Sequence, residues 1–278
     1  HELKRRIHTI VVDEAHKVLA PTYNQVTRSL MGDSTRVVGL TATPGRGADN
    51  PIANRALADF FFSDILTIPT TEESVIAYLR RREVLSEAHY EPLVTSTRIA
   101  LTPNDIESLA TLLDFPVRLL RPLATDDIRN VEIVKRLQRA CEAGSRILFF
   151  ACSVEHSRFI SANLVYLGIR ATHVDGGTSA ARRRRAITAF RDGGVQVLCN
   201  YGVLSTGFDA PQVDVVFISR PTASIVLYSQ MIGRGLRGPA IGGTATCTII
   251  DVRDNIVGFP DHEQMYEYFD EYFVNGIQ

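Results

Sequence analysis

Between residues 126 and 251, short apolar β-branched runs alternate with helix-length amphipathic segments, a pattern that few folds satisfy. Helical spacing covers Asp126–Ala143 and Val154–Leu167, each stopped by a glycine, and recurs over Ser179–Arg191 and Ser224–Ile232. Between these lie strand-like runs at Arg146–Phe150, Ile169–Val174, Val195–Cys199, Asp214–Ser219 and Ala245–Asp251. Apolar runs with no polar alternation are those of strands buried on both faces, and helix-length crossovers make the strands parallel. The pattern predicts an α/β fold with a complete, doubly wound parallel-sheet lobe over 124–258.

The first 69 residues carry a shorter version of the same pattern. Ile7–Val12 and Arg36–Leu40 read as buried parallel strands, with Asp64–Ile68 as a third, and polar residues gather just beyond the strand ends. In open α/β sheets ligands bind at that edge. Residues 70–123 read as a connector: Thr70 and Glu73 have capping-box spacing before a helix with Val75, Ile76 and Leu79, and Thr102-Pro103 begins another. Residues 259–278 form a tail whose Tyr266, Tyr268, Phe269, Tyr272 and Phe273 are expected to pack as a terminal helix.

Composition narrows the function classes only a little. Thirty Lys and Arg against 31 Asp and Glu give no global positive field, so a nucleic-acid partner would have to be held by local patches. Cys141, Cys152, Cys199 and Cys247 are scattered, which speaks against a zinc site or disulfide framework. There is no signal peptide and no apolar stretch of membrane-spanning length, so the expectation is a cytoplasmic protein without a membrane partner. The chain opens on His1 directly before a strand-like segment, as expected of a fragment.

Chemistry concentrates in a few short motifs. Asp13-Glu14-Ala15-His16 follows the first strand. In a nucleoside triphosphatase one such carboxylate serves Mg²⁺ and the next orients or deprotonates the attacking water; by itself an acidic pair is more readily a solvated turn or helix cap. Thr41-Ala42-Thr43-Pro44 follows the second strand, Leu148 to Ser153 closes a strand, Ser205-Thr206-Gly207-Phe208-Asp209-Ala210-Pro211 follows another, and Gln230-Met231-Ile232-Gly233-Arg234-Gly235-Leu236-Arg237 ends a helix. In this order the five segments resemble the Walker B box, the motif after it, and motifs IV, V and VI of the DEAD/DEAH-type superfamily 2 helicases, especially restriction-enzyme subunits and DNA-repair helicases. The resemblance covers nearly the whole chain.

That resemblance implies two RecA-like lobes, the first incomplete, with ATP and Mg²⁺ as cofactors and nucleic acid as partner, DNA rather than RNA. It gives Asp13 to the metal and Glu14 to the hydrolytic water, with His16 linking the site to the second lobe. Thr41 and Thr43 would couple nucleotide state to the nucleic acid, with simple turn capping as their alternative. Ser153 and Thr206 would meet the nucleic-acid backbone, Gly207 and Asp209 would lie near the nucleotide or the lobe interface, and Gly233 near the nucleotide. Gln230, Arg234 and Arg237 complete the catalytic set. If the helix persists, Arg234 and Arg237 share one of its faces and would reach a γ-phosphate as arginine fingers. Many relatives carry a third arginine where this sequence has Met231.

Other features read as ordinary. Arg182–Arg185 cannot all face one groove, because consecutive helical residues diverge by about 100°, so a solvated face is expected, with Ala186, Ile187 and Phe190 buried. His156 and His173 read as packing residues. No G-x-x-x-x-G-K-[ST] phosphate loop occurs in the 278 residues. The expectation is a helicase or translocase core truncated before that loop, inactive as it stands; the alternative is a catalytically silent binding module.

Overall fold

The computed structural model describes residues 2–41, 51–64, 66, 75–105, 115–204, 212–222 and 224–257. Thr43, Thr206, Gly207, Asp209, most of the strand expected at Asp64–Ile68 and the tail from 258 lie outside them. The helix expected at Thr102-Pro103 is described only to Asp105, where Thr102 N and Oγ1 both donate to Asp105 Oδ2, at 2.8 and 2.6 Å. The chain divides into two compact units, His1–Pro69 and Thr70–Gln278.

In the first unit, α1 (Glu2–Arg6) leads into β1 (Thr9–Asp13), a 3₁₀ turn (Ala15–Lys17), α2 (Pro21–Leu30), β2 (Arg36–Leu40) and α3 (Pro51–Phe60). β1 and β2 pair in parallel, Asp13 opposite Leu40. Val12, Val18, Leu57 and Phe60 form a small core, while Val11, Val38 and Leu40 remain exposed. A parallel pair covered on one face alone is unusual, since parallel strands are normally buried on both.

The second unit opens with α4 (Val75–Arg81) and β3 (Glu87–Ala100), followed by α5 (Val117–Thr125), α6 (Asp127–Glu142), β4 (Ile147–Phe150), α7 (Val154–Tyr166) and β5 (Ala171–Val174). Then come α8 (Ala180–Arg191), β6 (Val197–Asn200), β7 (Val215–Ile218), α9 (Ile225–Ile232), a 3₁₀ turn (Pro239–Ile241) and β8 (Thr246–Val257). All pairings in this six-stranded sheet are parallel, in the order β3-β8-β7-β4-β6-β5. Side chains of the central strands alternate between two cores. Leu148, Phe150, Leu198, Val216 and Ile249 pack with Phe190 of α8 and Ile232 of α9. Ile147, Phe149, Val197, Phe217 and Ile250 pack with Ile133 and Leu137 of α6 and Ile160 and Leu164 of α7.

The helix starts expected near Asp126, Val154 and Ser224 hold, because their caps are polar side chains that reach the first free amides, whereas the Thr70 and Glu73 capping box lies outside the described residues. Asp126 accepts from Arg129 N at 2.9 Å, Ser153 from His156 N at 3.0 Å and Ser224 from Leu227 N at 3.2 Å. Gly144 and Gly168 stop α6 and α7 at positive φ, 85° and 79°.

The stretch 70–123 differs from its reading. Instead of short extended pieces it contributes β3, a 14-residue edge strand of the second sheet. At an edge, Pro92 and the strand's charged residues face no second neighbour, so an apolar run is not needed. β8 likewise runs past Asp251 to Val257, because Asp254 finds a partner in the interior. Arg129 of α6 is fully buried and forks onto Asp254, with Nε–Oδ1 at 2.7 Å and Nη2–Oδ2 at 2.9 Å. Thr95 Oγ1, in the stretch where the β3 register shifts, donates to the same carboxylate at 2.7 Å. The guanidinium also donates to the carbonyls of Leu123 and Ser219. Removing one partner of a buried pair strands the other charge. Arg129→Met is expected to cost about 3–5 kcal/mol in urea unfolding, and Arg129→Met with Asp254→Leu distinctly less than the sum of the two single changes.

Candidate functional site

β1 and β2 end side by side, so their C-terminal edge brings the first two motifs together. Asp13 closes β1, and its Oδ1 accepts the N–H of Glu14 at 2.9 Å. Glu14 is left-handed, at φ 52° and ψ 52°, a strained conformation for a residue with a side chain. The chain then drops into the 3₁₀ turn, which buries Ala15 and His16. His16 Nδ1 lies 3.1 Å from Thr41 Oγ1 and 3.5 Å from Glu14 Oε2. The imidazole therefore ties the acidic box to the residue after β2.

Gly39 makes that closeness possible. A Cβ there would fall 2.8 Å from Ala15 Cβ and 2.7 Å from the Phe61 ring, so only a bare backbone lets β2 lie against the turn. Nothing in the sequence pattern distinguishes Gly39 from a residue that merely weakens a strand.

The arginine motif departs from its expected geometry. α9 stops at Ile232 with Gly233 as its C-cap, so Arg234 and Arg237 occupy a turn and an extended residue rather than one helical face. Glycines explain the change. A Cβ on Gly235 would fall 2.4 Å from Val216 Cγ2 and 2.5 Å from Cys247 Sγ, which presses this backbone onto the sheet. Leu236 is buried beneath it, and Arg234 and Arg237 are left half-buried. Burial lowers the Arg237 pKa from the ordinary guanidinium value. Met231, where many relatives have arginine, is buried in the core beside α9. An arginine there would have no solvent to reach.

Ser153 caps α7 beyond the C-terminal end of β4, whereas Arg237 is bridged to Leu85, just before β3 begins. Because all six strands are parallel, these two site residues lie toward opposite edges of the second sheet. A cavity of about 700 Å³ beside Ser153 is lined by Val117, Arg121, Asp127, Glu155 and Phe159 among others. His156, at its floor, accepts the Cys152 N–H on Nδ1 at 3.2 Å and meets Asn130 Oδ1 through Nε2 at 2.9 Å.

His173 joins Ser157 Oγ at 2.7 Å to Asp175 Oδ2 at 2.9 Å. The Ser-His-Asp order looks nucleophilic, but Ser157 is completely buried and the group serves to tie α7 to β5. In the arginine run, Arg183 turns inward and donates to the carbonyls of Asp175 and Thr178, while Arg182, Arg184 and Arg185 are exposed.

Residues 130–238 match the helicase conserved C-terminal domain, and residues 1–46 match the type III restriction enzyme res subunit. A 51.5 kDa protein of a Lactococcus phage is 27% identical over 94% of this chain and 53% of its own length. The protein described as ATP-dependent helicase IRC3 of Saccharomyces cerevisiae is 24% identical over 92% of this chain and 38% of itself. UvrABC system protein B of Chlamydia muridarum is 27% identical over 84% and 32%. Among solved structures, a Dbp5 variant of S. cerevisiae bound to RNA and ADP BeF3 superposes at a TM-score of 0.59. It is 18% identical and is matched over all of this chain and 61% of its own. These matches define a RecA-like α/β protein. More particularly, the chain is superfamily 2 helicase-like, and it spans about half or less of the length of these curated relatives.

Buried away from water and near the Arg129 guanidinium, His156 is pushed down to about 3. The unfolded chain takes up that proton near pH 6.5 and the folded one does not, so stability is complete above about pH 6.5 and falls on acidification toward 3. At pH 5 the expected loss is about 2 kcal/mol. Urea unfolding at pH 7 and pH 5 should show it, and His156→Gln should flatten the pH slope by about one proton.

Proposed function

We propose that this chain is part of an ATP-driven nucleic-acid motor, a helicase or translocase in which ATP is hydrolysed between two RecA-like lobes. The observation that carries this reading is the cluster of Asp13, Glu14, His16 and Thr41 at the end of two paired parallel strands. It is supported by the arginine motif on the second unit and by relatives described as helicases.

The donor set fits Mg²⁺ carried by a nucleotide. No cluster of three metal-ligating side chains exists among the described residues, and Mg²⁺ needs none when phosphates and water fill most of its shell. Asp13 would supply the one protein carboxylate, and the bound ion would neutralise phosphate charge. Glu14 would orient the attacking water and take its proton as the new P–O bond forms and the bond to the leaving phosphate breaks. Arg234 and Arg237 would stabilise charge spread over the transferring oxygens, and Gln230, Gly233, Gly207 and Asp209 would complete the nucleotide side. Thr43, like Thr41, would relay nucleotide state, and Ser153 and Thr206 would hold the nucleic-acid backbone.

The uncovered face of β1 and β2, with Val11, Val38 and Leu40 exposed, supports a first lobe completed by chain beyond these 278 residues. That chain would also supply the phosphate loop, so the piece described here is inactive alone. DNA is the proposed track, through likeness to restriction-enzyme and repair helicases. Four unpaired, buried cysteines support a cytoplasmic setting.

The test is ATP hydrolysis by the complete protein, with and without duplex DNA, single-stranded DNA or RNA. DNA should stimulate the rate more than RNA, and Arg234→Ala should lower kcat by about 10³-fold. Absence of stimulation, or a full rate in Arg234→Ala, would overturn the motor; nucleic-acid binding that ignores ATP would favour the silent module instead.

A further inference from the structure

The segment that enters the second unit holds the arginine loop. After α4 the chain turns at Glu83, φ 57°, and then runs antiparallel to residues 236–238 before joining β3. Gly238 N donates to Val84 O at 2.9 Å, Ser86 N to Leu236 O at 3.3 Å and Ala240 N to Glu83 O at 3.0 Å. Leu85 and Arg237 form the bridge between these bonds. The approach is close: a Cβ on Gly238 would fall 2.0 Å from Glu83 O.

Ser86 sits at the centre. It is buried, and its hydroxyl lies 2.8 Å from Arg237 O and 2.7 Å from Thr244 O, with Gly235 O at 3.5 Å. One hydroxyl proton is shared among carbonyls that open and close the loop, and Thr244 N donates back to Arg237 O at 2.9 Å. The backbone of Arg237 is thus fixed from both flanks and at its own carbonyl. Residues 83–86 supply backbone hydrogen bonds to residues 236–240, while Gly235 packs on Val216 and Cys247.

We infer that Ser86 is a positioning residue that sets the backbone of Arg237 for phosphoryl transfer. The inference rests on the ATPase reading above. Ser86 is almost fully buried, and alanine there removes the hydroxyl donor that Arg237 O and Thr244 O share, leaving Arg237 O with the Thr244 N–H alone among these bonds.

The experiment uses the complete protein. Wild type and Ser86→Ala are compared for nucleic-acid-stimulated kcat and KM for ATP, for melting temperature, and for amide hydrogen exchange of residues 237–244 at a fixed interval below each melting point. The expected result is a kcat lowered about tenfold, a KM within twofold, and faster exchange confined to 237–244. If Ser86→Ala melts too low to assay, Ser86→Cys replaces it, with a weaker donor and an expected fall of about threefold. An active wild type with an unchanged kcat in the variant overturns the inference alone, as does a loss of rate matched by an equal rise in KM. A wild type without stimulated ATPase overturns the motor reading, and the inference with it.

Discussion

A fully buried guanidinium organises the larger unit. Arg129 cannot shed its proton, so once α6 is packed on the sheet the interior must supply a countercharge and acceptors for its remaining donors. Asp254 on β8 gives the first, and the carbonyls of Leu123 and Ser219 give the second. These partners come from the end of α5, the end of β7 and the far part of β8, with Thr95 of β3 joining through the same carboxylate. The pair therefore specifies which elements meet, whereas the apolar contacts around it specify only that they are covered. Neighbouring bonds extend the arrangement: Cys152 Sγ lies 3.0 Å from Ser219 O, and His156 and Asn130 continue it to the start of α7.

Close backbone approach is the second constraint, and it falls on glycines that a reading by residue type treats as loop filler. Gly39 lets β2 lie against the acidic turn, Gly235 lets the arginine loop lie on Val216 and Cys247, and Gly238 lets it lie on Glu83 and Val84. In each case the packed backbone belongs to a residue next to chemistry. Two half-buried arginines are held by a loop without a helix because Gly235, between them, lets the backbone pass from α9 onto the sheet and Gly238, after them, lets it lie on the segment before β3.

The layout bears on how a motor of this kind would work. Arg237 lies toward the edge where β3 and β8 begin, and Ser153 toward the edge where β4 ends, so on the proposed reading the two ends of one sheet would face nucleotide and nucleic acid separately. A sheet packed on both faces transmits displacement rather than absorbing it. In the first unit, the contact of His16 with Thr41 joins the acidic box to the residue after the neighbouring strand.

By itself the sequence determined the α/β class, the parallel strands, most helix ends and the order of the motifs. Those features follow from local periodicity, from polar caps such as Asp126, Ser153 and Ser224, and from the chemistry of residue types at strand ends. Tertiary structure decided the rest. β3 was hidden because an edge strand needs no apolar run, and the end of β8 because Asp254 reads as solvated until Arg129 is brought to it from 125 residues away. The placing of Arg237 was beyond reach for the same reason: α9 ends where the sheet draws Gly235 inward, and the loop's hydrogen bonds go to Ser86, 151 residues distant in the chain. Local pattern records what each residue prefers, but only the folded chain determines which partner removes a buried charge or carbonyl from need of water.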